Sequence, residues 1–134
     1  MGPGCRFVAM VACLVLSGCA KPAADTISGL YGAPLPANVK VVHYYGEAMG
    51  MDPSFAWVLS PIDDAYLKQM IKATGLKAPA AGQRPSSARY GFPRWWSHDR
   101  IEALPEVYFD DGQGLRRIWV DRENDRLYVE FVGT

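Results

Sequence analysis

The sequence has no cysteine beyond position 19: its three are Cys5, Cys13 and Cys19. A disulfide framework across the body of the chain is thereby excluded, and stability there has to come from packing. There is also no excess of either charge. The 14 Lys and Arg balance 14 Asp and Glu, and no basic run occurs, so nothing electrostatic argues for nucleic acid as a partner. No apolar run reaches the roughly 20 residues that a membrane-spanning helix needs. Histidine occurs only as His43 and His98, without the spacing of metal ligands, and no Gly-rich phosphate loop, GxSxG elbow or HExxH is present. No metal and no cofactor is expected on these grounds. Internal repeats and low-complexity tracts are lacking as well.

What is present begins at the amino terminus. Arg6 precedes an apolar stretch from Phe7 to Leu16, which ends in the small residues Ser17 and Gly18 before Cys19. A basic residue, a short apolar core and small residues at its end make a secretory signal. The ending Leu16-Ser17-Gly18-Cys19 resembles the lipobox of bacterial lipoproteins. That resemblance implies lipid on the Cys19 thiol, cleavage just before it and acylation of the new amine, so that residues 1–18 are signal peptide. Ala20 and Lys21 follow, and the lack of an aspartate directly after Cys19 implies the periplasmic face of the outer membrane. Several acyl chains on one residue anchor far more firmly than one. Gly18-Cys19-Ala20 is also a small-x-small pattern that an ordinary signal peptidase would cut after Ala20, leaving a soluble product. Loss of Arg6 with the leader leaves 13 basic against 14 acidic residues.

Residues 19–38 hold Pro22, Gly29, Gly32, Pro34 and Pro36 among small side chains, and are expected to form a tether, with Ile27, Leu30, Tyr31 and Leu35 available to pack part of it down. A single α+β domain is expected over 39–134. Val39–Glu47 and Phe55–Leu59 read as strands, the latter with Phe55, Trp57 and Leu59 on one face. Ser60-Pro61 predicts a helix start, Asp63 and Asp64 suit the positive end of its dipole, and Gly75 caps it after Thr74. Ile62, Ala65, Tyr66, Met70 and Ala73, widened by Leu67 and Ile71, form its apolar stripe.

A loop follows from Leu76 to Arg94, then a short helical turn over Arg100–Leu104 opened by Ser97 or Asp99. The tail predicts three more strands, Glu106–Asp110, Leu115–Asp121 and Arg126–Val132, with a turn at Asp111-Gly112-Gln113-Gly114. The order is β-β-α-loop-β-β-β: one main helix on an antiparallel sheet of four or five strands, with one buried and one wet face.

Residues that carry chemistry are few. His43 sits mid-strand among tyrosines and reads as structural or surface. Asp110 and Asp111 precede a turn too short for a calcium loop of about 12 residues. The strongest site candidate is the aromatic and arginine-rich segment Arg89, Tyr90, Phe92, Arg94, Trp95, Trp96 and His98. Tryptophan and arginine are the residues that interfaces use most for affinity, and flat rings also hold sugars and peptides. The competing reading is that the tryptophans cap the core of a small domain that has no disulfide. The reading that results is a membrane-anchored envelope lipoprotein, a non-catalytic module that binds a protein or a cell-wall component, with an immunity-type protein as one case. A wall-acting hydrolase using His98 or acidic residues, and a structural assembly factor, are the alternatives.

Overall fold

The computed structural model describes residues 22–47, 53–87, 91–110 and 116–133. The leader with Leu16 to Cys19, the candidates Arg89 and Tyr90, and the expected turn at 111–114 lie outside the described residues.

Five strands form one antiparallel sheet: β1 Lys40–Glu47, β2 Ser54–Ser60, β3 Glu106–Phe109, β4 Arg116–Asp121 and β5 Arg126–Val132. Their spatial order is β1-β2-β5-β4-β3. The α+β class and the strand order along the chain agree with the sequence reading. Helix α1 covers residues 22–31, α2 Asp64–Thr74 and α3 His98–Glu102.

Helix α1 corrects the expected tether. Ala23, Ile27, Leu30 and Tyr31 recur at helical spacing and make one stripe. Ile27 and Tyr31 have no solvent exposure. The Trp57 indole donates to the Ala23 carbonyl at 3.1 Å, and the Tyr31 hydroxyl donates to the Glu130 carbonyl. Gly32, at φ 67°, ends the helix in the left-handed region, where its N–H donates to the Ser28 carbonyl at 3.0 Å. A Cβ there would stand 3.0 Å from the Ala73 methyl, so the end of α1 seats directly on α2. Residues 22–38 are packed body rather than leash, and two helices, not one, cover this face.

Helix α2 starts three residues later than Ser60-Pro61 suggests. Asp63 is the N-cap and accepts from the Tyr66 N–H at 3.0 Å. Ser60 instead donates to the Asp125 carbonyl at 2.9 Å, which ties the helix approach to the β4–β5 turn. Asp64 fills the acidic first-turn position and meets Arg122 at 3.0 Å, and Gly75 is the left-handed cap as expected.

The wet face is the second correction. Trp57, Leu59, Ile118, Val120, Leu127 and Val129 point to α1 and α2 and form the main core. The alternate residues are also covered: Ala56, Val107 and Trp119 pack under Trp96 and Ile101 in a second core. Strand β1 contributes to both faces through a bulge between Val41 and His43. Val42 is the extra residue and is exposed, at 40%. The bulge resets the alternation, so Val41 and Tyr44 serve the first core while His43 and Tyr45 turn to the second face.

Ile27→Ala should lower unfolding free energy by about 2–5 kcal/mol, read from urea midpoints; a tether would leave the midpoint unchanged. Burial raises the Tyr31 and Tyr66 hydroxyl pKa values above the ordinary 10.0. Both phenols stay neutral when folded, so their contribution is full below pH 10.0 and is lost as pH rises from there toward the raised folded values. Tyr31→Phe should therefore flatten the fall in stability above that pH, measured by urea titration at stepped alkaline pH.

Candidate functional site

On the second face, cross-strand neighbours line up in rows. One row runs Tyr45, Ala56, Glu130, Arg117 and Phe109; the next runs His43, Val58, Tyr128, Trp119 and Val107. Glu130 is the unusual member, a carboxylate with no solvent exposure. A buried charge has to be paired and hydrogen-bonded. Arg117 donates to its Oε1 at 2.7 Å from the adjacent strand, and the Ser87 hydroxyl lies 3.2 Å from its Oε2.

Ser87 is the hub that fastens the loop to the sheet. Its Oγ accepts from the Trp96 indole N–H at 2.7 Å and stands 3.0 Å from His98 Nδ1. The indole only donates and the carboxylate only accepts, so the Ser87 oxygen accepts from Trp96 and its hydroxyl donates to Glu130. The Ser87 backbone N–H donates to Glu102 Oε1 at 2.8 Å, and Arg84 donates to the Glu102 and Leu104 carbonyls, binding the loop to α3.

These bonds sort the candidate residues. Trp96 is 2% exposed and packs edge-on against Trp119 and Tyr128. It is the core cap of the competing reading. Phe92 is half-buried against Tyr45 and Trp96, and parallel to the His98 ring. Arg94 is exposed and is not part of the cleft described next. Trp95 faces elsewhere than its neighbour: it stacks on His43, centroids 4.9 Å apart and planes within 12°.

That stack forms one wall of an open cleft of about 400 Å³, completed by Tyr128, Arg100, Arg126 and Asn124, with Ser97 and Ile101 at the α3 end. Among the described residues no aspartate or glutamate lines it. Among the described residues neither Arg100 nor Arg126 meets a carboxylate within 4.0 Å, whereas Arg116, Arg117 and Arg122 are all ion-paired. Ser97 occupies the N-cap of α3 but its hydroxyl makes no capping bond. Of this wall, sequence reasoning had only Trp95 in its candidate set. The β-bulge that aims His43, and the strand and turn positions of Arg126, Tyr128 and Asn124, carried no motif.

No protein-family model matches the chain, and no curated protein or solved structure is significantly similar to it. The functional reading rests on the geometry and chemistry of this face.

Ser87→Ala removes the hub and takes one hydrogen bond each from the Trp96 N–H and Glu130 Oε2. Unfolding free energy should fall by about 1–3 kcal/mol in urea titration, and an unchanged midpoint would show that the Ser87 hydroxyl does not hold the loop.

Proposed function

We infer that this chain is a lipid-anchored, non-catalytic binding module of the cell envelope, held through Cys19 at the outer membrane, and that it takes its partner in the His43–Trp95 cleft. The observation that carries the binding part is the aromatic stack standing beside two guanidinium groups that, among the described residues, have no carboxylate within 4.0 Å. Unpaired arginine and a fixed tryptophan are the side chains from which strong contacts are built, and small-ligand sites are concave, with a few convergent polar groups. The anchor part is supported by the lipobox-like ending of the leader.

The hydrolase alternative calls for a nucleophile with an adjacent base, or two convergent acid–base groups. Among the described residues the cleft wall carries no carboxylate, and no hydrogen bond joins Ser97 to a base. Ser87 with His98 and Glu130 has the residue types of a catalytic triad but not its arrangement. The hydroxyl is 3% exposed and touches both the imidazole and the carboxylate, so the acid does not orient the base. An assembly factor calls for a broad apolar patch. Among the described residues Val42 is the one large hydrophobic side chain that is exposed.

Two measurements test the reading separately. Intact mass of the envelope-derived product should show a start at Cys19 with added acyl mass, and Cys19→Ala should release the protein from membranes. Retention of purified protein on isolated envelope should weaken at least about 30-fold in Trp95→Ala, with far-ultraviolet circular dichroism unchanged. Full retention by a folded Trp95→Ala variant would reject the cleft.

A further inference from the structure

Building on the cleft as the binding surface, we propose that its ligand is an anionic saccharide, a sugar ring bearing a carboxylate or a phosphate. The charge follows from Arg100 and Arg126. Both face the same hollow and neither has a carboxylate partner among the described residues, while three arginines of the neighbouring strand and turn are paired internally. Guanidinium groups present planar donors matched to carboxylate and phosphate oxygens. The ring follows from Trp95, whose orientation is fixed by its stack on His43 and by a T-shaped contact with Trp96. A pre-set aromatic surface loses little entropy when it takes up the flat face of a sugar.

The rest of the wall suits hydroxyl groups better than side chains of a protein. Ser97 and Tyr128 bring hydroxyls that make no hydrogen bond within the described structure. Asn124 spends its amide nitrogen on Asp121, 2.9 Å away, and leaves its carbonyl oxygen to accept. Ile101 is the one aliphatic side chain among the described residues of the wall, which gives an anchoring leucine or phenylalanine of a protein partner little to pack on there. A volume of about 400 Å³ lies within the range of small-ligand sites. A smaller hollow of about 160 Å³ adjoins it across Arg100 and Tyr128 and carries Asp121 and Glu123. Those carboxylates repel an anion from that side and orient the charged end of the ligand to the Trp95 side.

The test titrates the full-length mature protein in detergent with defined probes, followed by tryptophan fluorescence and ligand-observed NMR. The probes are N-acetylmuramyl dipeptide, N-acetylglucosamine phosphate, neutral chitotriose and a pentaglutamate peptide. Both charged saccharides are expected to bind, more weakly as salt rises. Arg126→Gln should weaken binding by about 10- to 100-fold, and Trp95→Ala should weaken both. A preference for the carboxylate sugar points to wall glycopeptide as the source, and a preference for the phosphate sugar points to a phosphorylated glycan. Equal binding of chitotriose, equal binding of pentaglutamate, or binding of no saccharide would each overturn the proposal. If no saccharide binds while Trp95→Ala still loses envelope retention, the cleft reading stands and only the ligand class falls.

Discussion

A carboxylate with no access to water sits at the centre of this fold, and the placement of the outer face follows from holding it. Glu130 is on a central strand, so its charge cannot reach solvent by bending outward. Arg117, its cross-strand neighbour, supplies the counter-charge, and Ser87 supplies a further hydrogen bond from a loop distant in sequence. Removing one partner from such a buried pair is far more costly than the pair is stabilising, so the loop is under strong pressure to stay where Ser87 can reach. Ser87 then fixes Trp96 and His98. With Trp96 held inward, the peptide geometry leaves Trp95 on the outer side, where His43 receives it. Rigidity passes in this way from the sheet interior to the cleft wall, through groups that do not themselves line the cleft.

The two cores explain how a short chain without disulfides builds enough buried area. Sheets with one covered face bury half of their side chains; here Trp57 lies under the helices and Trp119 under the loop, both essentially inaccessible. Tyr31 joins the layers, since its hydroxyl on the helical face bonds the backbone of the same Glu130 whose side chain serves the opposite face. The Glu130 network and the α1 packing are thus mechanically coupled through one residue.

Strands with strict alternation were legible in the sequence. Arg126–Val132 and the Phe55, Trp57, Leu59 face read correctly because period two leaves little choice of register once one face is apolar. Helix α2 was legible from its stripe and from Gly75, although Asp63 outcompeted Ser60 for the cap by lying next to the amides that need it. Helix α1 was hidden by its composition: Pro22, Gly29 and Gly32 at its ends and edge read as loop punctuation, while Ala23, Ile27, Leu30 and Tyr31 already carried the helical period. The second covered face was hidden for a different reason. Arg117, Tyr128 and Glu130 look like solvent-facing residues, and only partners far along the chain cover them, Glu130 fully and the other two in part. Ser87 had no local signal, and the bulge that turns His43 toward the loop is a property of pairing, not of any one residue.

The same proton count that explains the loop also separates structure from function on this face. Oxygen in a serine hydroxyl has two lone pairs and one proton. In Ser87 a lone pair meets the Trp96 N–H and the proton meets Glu130, on a residue only 3% exposed, so the oxygen is not directed at open space. A nucleophile needs the opposite condition, a lone pair directed at open space and a base that relieves it of its proton. The polar groups that do face open space are the Ser97 and Tyr128 hydroxyls and the Arg100 and Arg126 guanidiniums. None of them stands in a hydrogen-bonded chain with a base, and each is able to hold an oxygen-rich anion in place. Hydrogen-bonded groups thus lie inside and the donors without a described partner line the cleft, and the Ser87, His98 and Glu130 contacts tie the loop to the sheet beneath it.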